Sequence, residues 1–127
     1  MEIFLVRHGA TDWNLQVRCQ GATDLELNET GIRQAQQIAA TLANEPIHGI
    51  YSSHLKRAQQ TAHLISLKHQ LAVQIESDIR ELDHGKLEGL TFAEIKENYS
   101  DFIQKWRTEP ADIQVPGGER LADVAQR

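Results

Sequence analysis

Short apolar runs alternate along this chain with segments whose apolar residues recur at helical spacing. The first run, residues 2–6, is almost wholly apolar and stops at a polar cluster, which is typical of a buried parallel strand. Residues 47–51 and 71–75 give two further short strands by the same criterion. Residues 11–28 are polar and contain turn signals, so we predict irregular structure there.

Two amphipathic helices lie between these runs. The first is predicted to begin at a cap, Asn28 or Thr30, and to stop at the Asn-Glu-Pro of residues 44–46. The second runs from Leu55 to near His69. Strands that alternate with helices predict an α/β layer fold with right-handed crossovers.

Two more helical patterns follow a loop that contains glycines. The first of them is one long helix or two short ones, with Ser100 as a candidate break; its apolar residues are Phe92, Ile95, Tyr99, Phe102 and Trp106. The second begins at Leu121 and is still running at Arg127. Such an ending fits either a domain cut short or a C-terminal helix docked on the sheet.

Composition narrows the class of protein. The 127 residues, 40% hydrophobic and 24% charged, predict one globular domain over residues 1–127. The longest early apolar run is too short for a signal peptide or a membrane span. Cys19 is the single cysteine, which excludes an internal disulfide and favours the cytoplasm. A formal net charge of -5, without a run of Lys or Arg, argues against nucleic acid as the partner.

The residues directly after the first apolar run could bind and attack an anion. Arg7 offers a guanidinium fork suited to phosphate or carboxylate, and His8 offers a nitrogen that can act as nucleophile, base or ligand. Gly9 lets backbone N–H groups approach closely. In open α/β sheets, ligands collect beyond the carboxyl ends of strands. The tripeptide alone also fits an ordinary turn.

A second arginine and a carboxylate add to this picture. Arg57 falls in the first turn of the second helix, where the helix dipole favours anions, so a bound anion shared with the free N–H groups would explain it. Glu81 follows the third strand and, if desolvated, could hold a proton as a general acid. Each feature alone also has an ordinary explanation. Arg57 could be an exposed arginine on a helix, and Glu81 could be a surface acid in a loop.

Metal binding and nucleotide binding are the competing interpretations. The histidines show no i, i+4 pair and no short His-x-His; they are His8, His48, His54, His63, His69 and His84. Glycine-rich nucleotide motifs are absent as well. We therefore predict no metal site.

Five motifs, in order, resemble those of the histidine phosphatase superfamily, which includes the cofactor-dependent phosphoglycerate mutases. They are LVRHGATDWN at 5–14, QG at 20–21 with LNETG at 27–31, YSSHLKRAQQTA at 51–62, RELDHGKLEG at 80–89, and PGGE at 116–119. The resemblance covers nearly the whole chain. It implies a three-layer α/β sandwich with a mostly parallel central sheet and helices on both faces. The short segment after Glu81 is similar to the small phosphatase branch, which includes the α-ribazole phosphate and broad-specificity types.

The resemblance also implies a reaction and its residues. His8 would attack phosphorus and form a phosphohistidine, while Arg7 and Arg57 hold the phosphoryl oxygens and Glu81 protonates the leaving oxygen. The substrate pocket would be lined by Asn14, Gln20 and Gly21. The substrate would be a small phosphorylated metabolite, and neither a metal nor another cofactor is implied.

Three departures from the family pattern bear on these expectations. Ala10 and Arg120 replace the usual Glu and Ser at positions without a catalytic role. The family's second catalytic histidine, in a Ser-His-Gly-like turn, does not occur after Gly118. We therefore expect an N-terminal portion of such an enzyme, with a fold incomplete at its C-terminus. An open sheet edge of that kind can aggregate or pair with a second copy to give a homodimer.

Three functions remain open from the sequence. The first is a phosphomonoesterase acting on small metabolites, and the second is a phosphoglycerate mutase whose pocket retains the intermediate. The third is a phosphate-binding remnant without turnover.

Overall fold

The computed structural model describes residues 2–127, and residue contacts divide them into two compact units. The first unit comprises residues 2–11 and 24–77, and the second comprises residues 12–23 and 78–127. The first contains α2 (Glu29–Leu42), β1 (Ile50–Ser52), α3 (Lys56–His69) and β2 (Val73–Ile75). The second contains α1 (Asp12–Leu15), α4 (Phe92–Asn98), α5 (Ser100–Thr108) and α6 (Leu121–Gln126).

A parallel pair of strands forms the sheet of the first unit. β1 and β2 pair in parallel, with Ile50 opposite Val73 and Ser52 opposite Ile75. α3 connects them, which makes a β-α-β crossover. The α/β class predicted from the alternation of strands and helices is therefore confirmed, although both strands are shorter than the apolar runs that contain them.

Helices α2 and α3 pack against each other and carry most of this unit's core. The buried core residues are Ala39, Ile50, Ala62 and Ile65. An alanine on each helix permits close approach, and the branched Ile50 and Ile65 fill the space beside them. Of the two predicted candidates for the cap, Asn28 is the one that caps α2, since its side chain accepts a hydrogen bond from the Gly31 N–H at 2.9 Å.

The expected strand at residues 2–6 is not formed. Over residues 2–127, the sheet consists of β1 and β2 alone, and the first apolar run belongs to no ladder. Its side chains are exposed, with Ile3 at 68% and Leu5 at 94%. An apolar run becomes a strand only where it pairs with a neighbouring strand, and this run makes no such pairing within residues 2–127.

Helices and connecting loops form the second unit. The capping box of Thr91 and Glu94 starts α4, and the helical pattern breaks at Tyr99 and not at Ser100. The short helix α1 interrupts the segment predicted to be irregular. It ends at Leu15, and two residues later Val17 adopts a φ of +55°, which turns the chain away from the helix axis.

The core of the second unit is aromatic and aliphatic. Five residues are buried: Cys19, Leu82, Leu87, Ile95 and Val115. Phe102 and Trp106 of α5 pack against them, with their ring centroids 5.4 Å apart. Phe92 is exposed. The α5 aromatic side chains therefore serve packing.

None of the helices found in residues 2–127 has both the length and the apolar character that crossing a membrane requires.

A direct contact between two backbones holds the segment after the first apolar run. A Cβ atom added to Gly9 would lie 2.8 Å from the Gly31 Cα, and one added to Gly31 would lie 2.7 Å from the Ala10 nitrogen. Real Cβ atoms essentially never approach backbone so closely, so both positions require glycine. This contact fixes residues 9–10 against the first turn of α2.

We expect Gly9→Ala to lower the free energy of unfolding by about 1–3 kcal/mol, because the added methyl group must displace the α2 backbone. Urea denaturation followed by circular dichroism measures the change. Gly49→Ala is the matched control, since the nearest atom to its added Cβ is a Tyr51 ring carbon at 3.4 Å. Equal stability of the two variants would contradict the close-contact argument.

Candidate active site

The His8 ring is oriented by its own loop. Nδ1 lies 2.7 Å from the carbonyl oxygen of Gly9. A carbonyl oxygen can only accept, so Nδ1 carries the proton in this hydrogen bond. In the neutral imidazole, the lone pair is then on Nε2. In this tautomer, Nε2 is the basic nitrogen of the ring.

The loop that carries His8 is tied to α3 through a buried threonine. The N–H of Gly9 donates to Thr61 Oγ1 at 3.1 Å, and that hydroxyl donates to the Arg57 carbonyl at 2.8 Å. Thr61 is buried, so losing either bond would leave a buried polar group unpaired. The backbone beside His8 is thereby joined to the helical turn that carries Arg57.

Helix α2 holds the other side of this loop. The N–H of Ala10 donates to Gln34 Oε1 at 2.8 Å, and the N–H of Asn28 donates to the Ala10 carbonyl at 3.0 Å. Together with the Gly9–Gly31 contact and the bond to Thr61 of α3, these bonds position residues 9–10 from both helices of the first unit.

Arg57 is buried, with only 2% of its surface exposed. The alternative of an exposed arginine on a helix surface is therefore wrong. Burying a guanidinium is costly, so a position such as this one needs compensating polar contacts.

The free N–H groups expected beside Arg57 are not available at the start of α3. The N–H of Lys56 donates to Asp24 Oδ1 at 2.7 Å, and that of Arg57 donates to the Leu25 carbonyl at 3.0 Å. The negative charge of Asp24, a residue of the same unit, thus interacts favourably with the dipole at the N-terminus of α3. Any anion bound here would contact the Arg57 side chain and not these two N–H groups.

Arg7 differs from Arg57 in its surroundings. It is exposed and lies along an apolar surface groove with Ile38 and Leu42 of α2.

Gln20 and Gly21 belong to the second unit, in a loop held by Glu88. The Glu88 carboxylate accepts from the N–H groups of Ala22 at 2.8 Å and Thr23 at 2.9 Å, and from the Thr23 hydroxyl. It also accepts from the N–H of His84 at 3.0 Å. Gly21 adopts a φ of +55°, which favours glycine, and an added Cβ would collide with the Glu88 carboxylate. The loop is therefore closely packed around one carboxylate.

Asn14 is also in the second unit, half-buried within α1. Its carbonyl accepts from the N–H of Val17 at 3.2 Å, at the end of that helix.

Glu81 is exposed, and its Oε1 accepts from the N–H of Leu82 at 2.8 Å. The desolvation considered from the sequence is therefore absent at this carboxylate. The bond to Leu82 orients the side chain along its own backbone.

The backbone around Glu81 is held by an arginine–glutamate cluster, which we define as Arg80, Glu119 and Arg127. Arg80 forms a two-pronged pair with the Glu119 carboxylate, at 2.7 and 3.1 Å. Arg127 approaches the same carboxylate at 3.1 and 3.2 Å. The N–H of Asp83 donates to it at 2.9 Å. One carboxylate thus accepts from two guanidinium groups and one peptide.

These contacts shift the acidity of Glu119. Partial burial raises the pKa of the carboxyl, but hydrogen bonds from Arg127, the Asp83 N–H and Arg80 outweigh it and lower the pKa to about 2. The group is ionised throughout the neutral range.

The pKa of Cys19 is shifted in the opposite direction to that of Glu119. Burial, followed by the nearby charges of Glu88 and Glu81, raises the pKa of its thiol to about 11. A thiol of this kind is a core residue and a poor nucleophile. In the part of the chain that the structure describes, no group of three or more His, Cys, Asp or Glu side chains could hold a metal ion.

Comparison with known proteins identifies the family. A model of the histidine phosphatase superfamily (branch 1) matches residues 3–127, so the chain belongs to this superfamily. It is 39% identical to phosphoserine phosphatase 1 of Hydrogenobacter thermophilus over 127 residues, which is 100% of this chain and 60% of that protein. It is 39% identical to phosphoglycerate mutase-like protein 4 of Arabidopsis thaliana, over 96% of this chain and 54% of that one.

A solved structure extends the likeness to the fold. The structure of a mycobacterial glucosyl-3-phosphoglycerate phosphatase with VO3 superposes with a TM-score of 0.86 at 37% identity, covering 94% of this chain and 56% of that one. The family predicted from the five motifs is therefore confirmed, as is its fold. The chain spans between 54% and 60% of the length of these three proteins.

Three residues with central contacts received no individual role from the sequence. Thr61, Glu88 and Glu119 each lie inside a recognised motif, yet their partners are distant in the chain. A polar residue on the buried face of a helix was the available signal for Thr61. For Glu88 and Glu119, the available signal was a glutamate directly beside a glycine.

The lowered pKa of Glu119 predicts a pH dependence of stability. Its folded pKa of about 2 lies below the ordinary value of 4.5, so its stabilisation is fully present above pH 4.5 and is lost as the pH falls toward about 2. Denaturant unfolding at several pH values should show the wild type losing more stability over this window than Glu119→Gln. Glu97→Gln, at an exposed position of α4, is the control and should follow the wild type. Parallel curves for the wild type and Glu119→Gln would contradict the assignment.

Proposed function

We propose that this chain carries the nucleophile of a phosphomonoesterase that hydrolyses small phosphorylated metabolites through a phosphohistidine on His8. The observation that carries the proposal is the hydrogen bond from Nδ1 to the Gly9 carbonyl at 2.7 Å, which leaves the lone pair on Nε2. The same loop is bonded through Thr61 to the turn that carries the buried Arg57. Membership of the superfamily supports this choice of reaction.

The proposed reaction has two displacements at phosphorus. In the first, His8 Nε2 forms a bond to phosphorus while the ester P–O bond breaks. Glu81, which bound substrate must shield from water for it to hold a proton, gives that proton to the departing oxygen. In the second, water attacks the phosphohistidine while the Glu81 carboxylate takes a proton from it. The P–N bond then breaks, its electron pair returns to Nε2, and inorganic phosphate is released.

Charge on the phosphoryl oxygens would be offset by arginine. Arg57 and Arg7 are assigned to these oxygens, because a fixed guanidinium stabilises charge that develops in the transition state. Asn14, Gln20 and Gly21 are assigned to the substrate pocket by their place in the family motifs. These roles require no metal.

The substrate class follows from chemistry and from the relatives. Two of the three proteins compared above are phosphatases named for small phosphorylated molecules, phosphoserine and glucosyl-3-phosphoglycerate. We extend that class, and neither substrate in particular, to this chain.

We expect incubation with p-nitrophenyl phosphate to form an acid-labile phosphoryl adduct on His8, which His8→Ala abolishes because no other group occupies its place in the loop. Mass spectrometry of the quenched protein locates the adduct. His63→Ala removes an exposed histidine of α3 and should leave the adduct intact. An adduct on another residue, or undiminished labelling of His8→Ala, would overturn the proposal.

A mutase is the second candidate, favoured by the 39% identity to phosphoglycerate mutase-like protein 4. With 3-phosphoglycerate as substrate, we expect release of inorganic phosphate, because a phosphatase admits water to the phosphohistidine. Phosphorus NMR of the reaction distinguishes the products. Formation of 2-phosphoglycerate without free phosphate would favour the mutase, and binding without turnover would indicate a phosphate-binding role.

A further inference from the structure

The arginine–glutamate cluster contacts the chain on both sides of Glu81. Arg127 Nη2 donates to the carbonyl oxygens of Arg80 at 3.0 Å and Glu81 at 3.3 Å, and its Nη1 donates to the Asp78 carbonyl. On the other side, Asp83 exchanges two hydrogen bonds with Glu119. Its N–H donates to the carboxylate at 2.9 Å, and its carbonyl accepts from the Glu119 N–H at 3.0 Å. Residues 78–83 are therefore held at four carbonyls and one N–H by a single cluster.

The cluster fixes the backbone and leaves the Glu81 carboxylate exposed. Arg80, Glu119 and Arg127 are themselves largely buried, with side-chain exposures of 26%, 17% and 14%. The remaining freedom of the Glu81 side chain is restricted by its bond from the Leu82 N–H at 2.8 Å. The cluster therefore supports the backbone of residues 78–83, while the Glu81 carboxylate itself stays accessible.

Stability alone does not explain such a cluster. Partly buried ion pairs return little net stability, because desolvation of the charges offsets their attraction. A planar guanidinium in two-pronged contact gives geometric precision instead. A proton donor must lie within hydrogen-bond reach of the oxygen it protonates, so precision at Glu81 has a direct chemical value.

We propose that Glu119, together with Arg80 and Arg127, positions Glu81 for proton transfer to the leaving oxygen. The three are positioning residues and do not contact the substrate. This inference rests on the proposed function, in which Glu81 is the general acid.

Leaving-group dependence tests the proposal. A dinitrophenolate departs without a proton, whereas an alkoxide such as that of phosphoserine needs one. Glu119→Gln should therefore lower kcat/KM, which reports the steps up to departure of the leaving group, by about tenfold or more for phosphoserine but by less than about threefold for 2,4-dinitrophenyl phosphate. General damage to the fold would lower both rates equally, and that result, or no loss on either substrate, would overturn the proposal.

Two further variants keep the test decisive. Asp123→Asn breaks an exposed ion pair with Arg120, 3.1 Å long, and is the matched control that should leave both rates unchanged. If Glu119→Gln does not fold, Arg127→Gln replaces it, because the Arg80–Glu119 pair then remains. The same selective loss is expected, and an equal loss on both substrates counts against the proposal.

Amide hydrogen exchange provides a readout that does not depend on turnover. In Glu119→Gln, the backbone around Glu81 loses its support from the cluster, so the Leu82 N–H should exchange at least about tenfold faster. The exchange rate of the Ile95 N–H in α4 should stay unchanged. An unchanged Leu82 rate would overturn the positioning role. If the wild type turns over neither substrate, the proposed function fails, and the exchange result still decides whether the cluster holds Glu81.

Discussion

The close approach of the Gly9 and Gly31 backbones is the constraint on which the first unit's candidate chemistry depends. A side chain at either position would occupy the space of the other backbone. With both absent, Gly9 reaches the buried hydroxyl of Thr61, and Ala10 reaches Gln34 and Asn28. In the loop held by these contacts, the Gly9 carbonyl accepts from His8 Nδ1. The tautomer of His8 thus depends on the close backbone contact between Gly9 and Gly31.

Charged groups are paired in different ways in the two units. At the start of α3, the Asp24 carboxylate accepts from the N–H of Lys56, while the Arg57 side chain in the same turn of the helix is buried. In the second unit, Glu119 collects two arginines and thereby organises the segment around Glu81. Glu88 does the same for the loop of Gln20 and Gly21 with backbone N–H groups in place of arginines. In the second unit, single carboxylates hold the loops that lack regular structure.

Helices were more predictable than strands in this chain. Asn28 and the Asn-Glu-Pro stop gave the bounds of α2 to within a few residues, because capping and periodicity are local properties. The run at residues 2–6 was equally clear as a pattern, yet it forms no strand. A strand depends on a partner elsewhere in the chain, and a pattern within one segment carries no information about that partner.

The sequence by itself determined the family, the α/β class and the residue types of the candidate site, because motif order and helical periodicity are written in consecutive residues. Tertiary structure alone decided that Arg57 is buried, that Glu81 is exposed, and that the N–H groups of Lys56 and Arg57 already have partners. It also decided the roles of Thr61, Glu88 and Glu119, each of which has a contact to a residue more than thirty positions away. Burial and hydrogen bonding are properties of neighbours in space, and only the folded chain makes those neighbours.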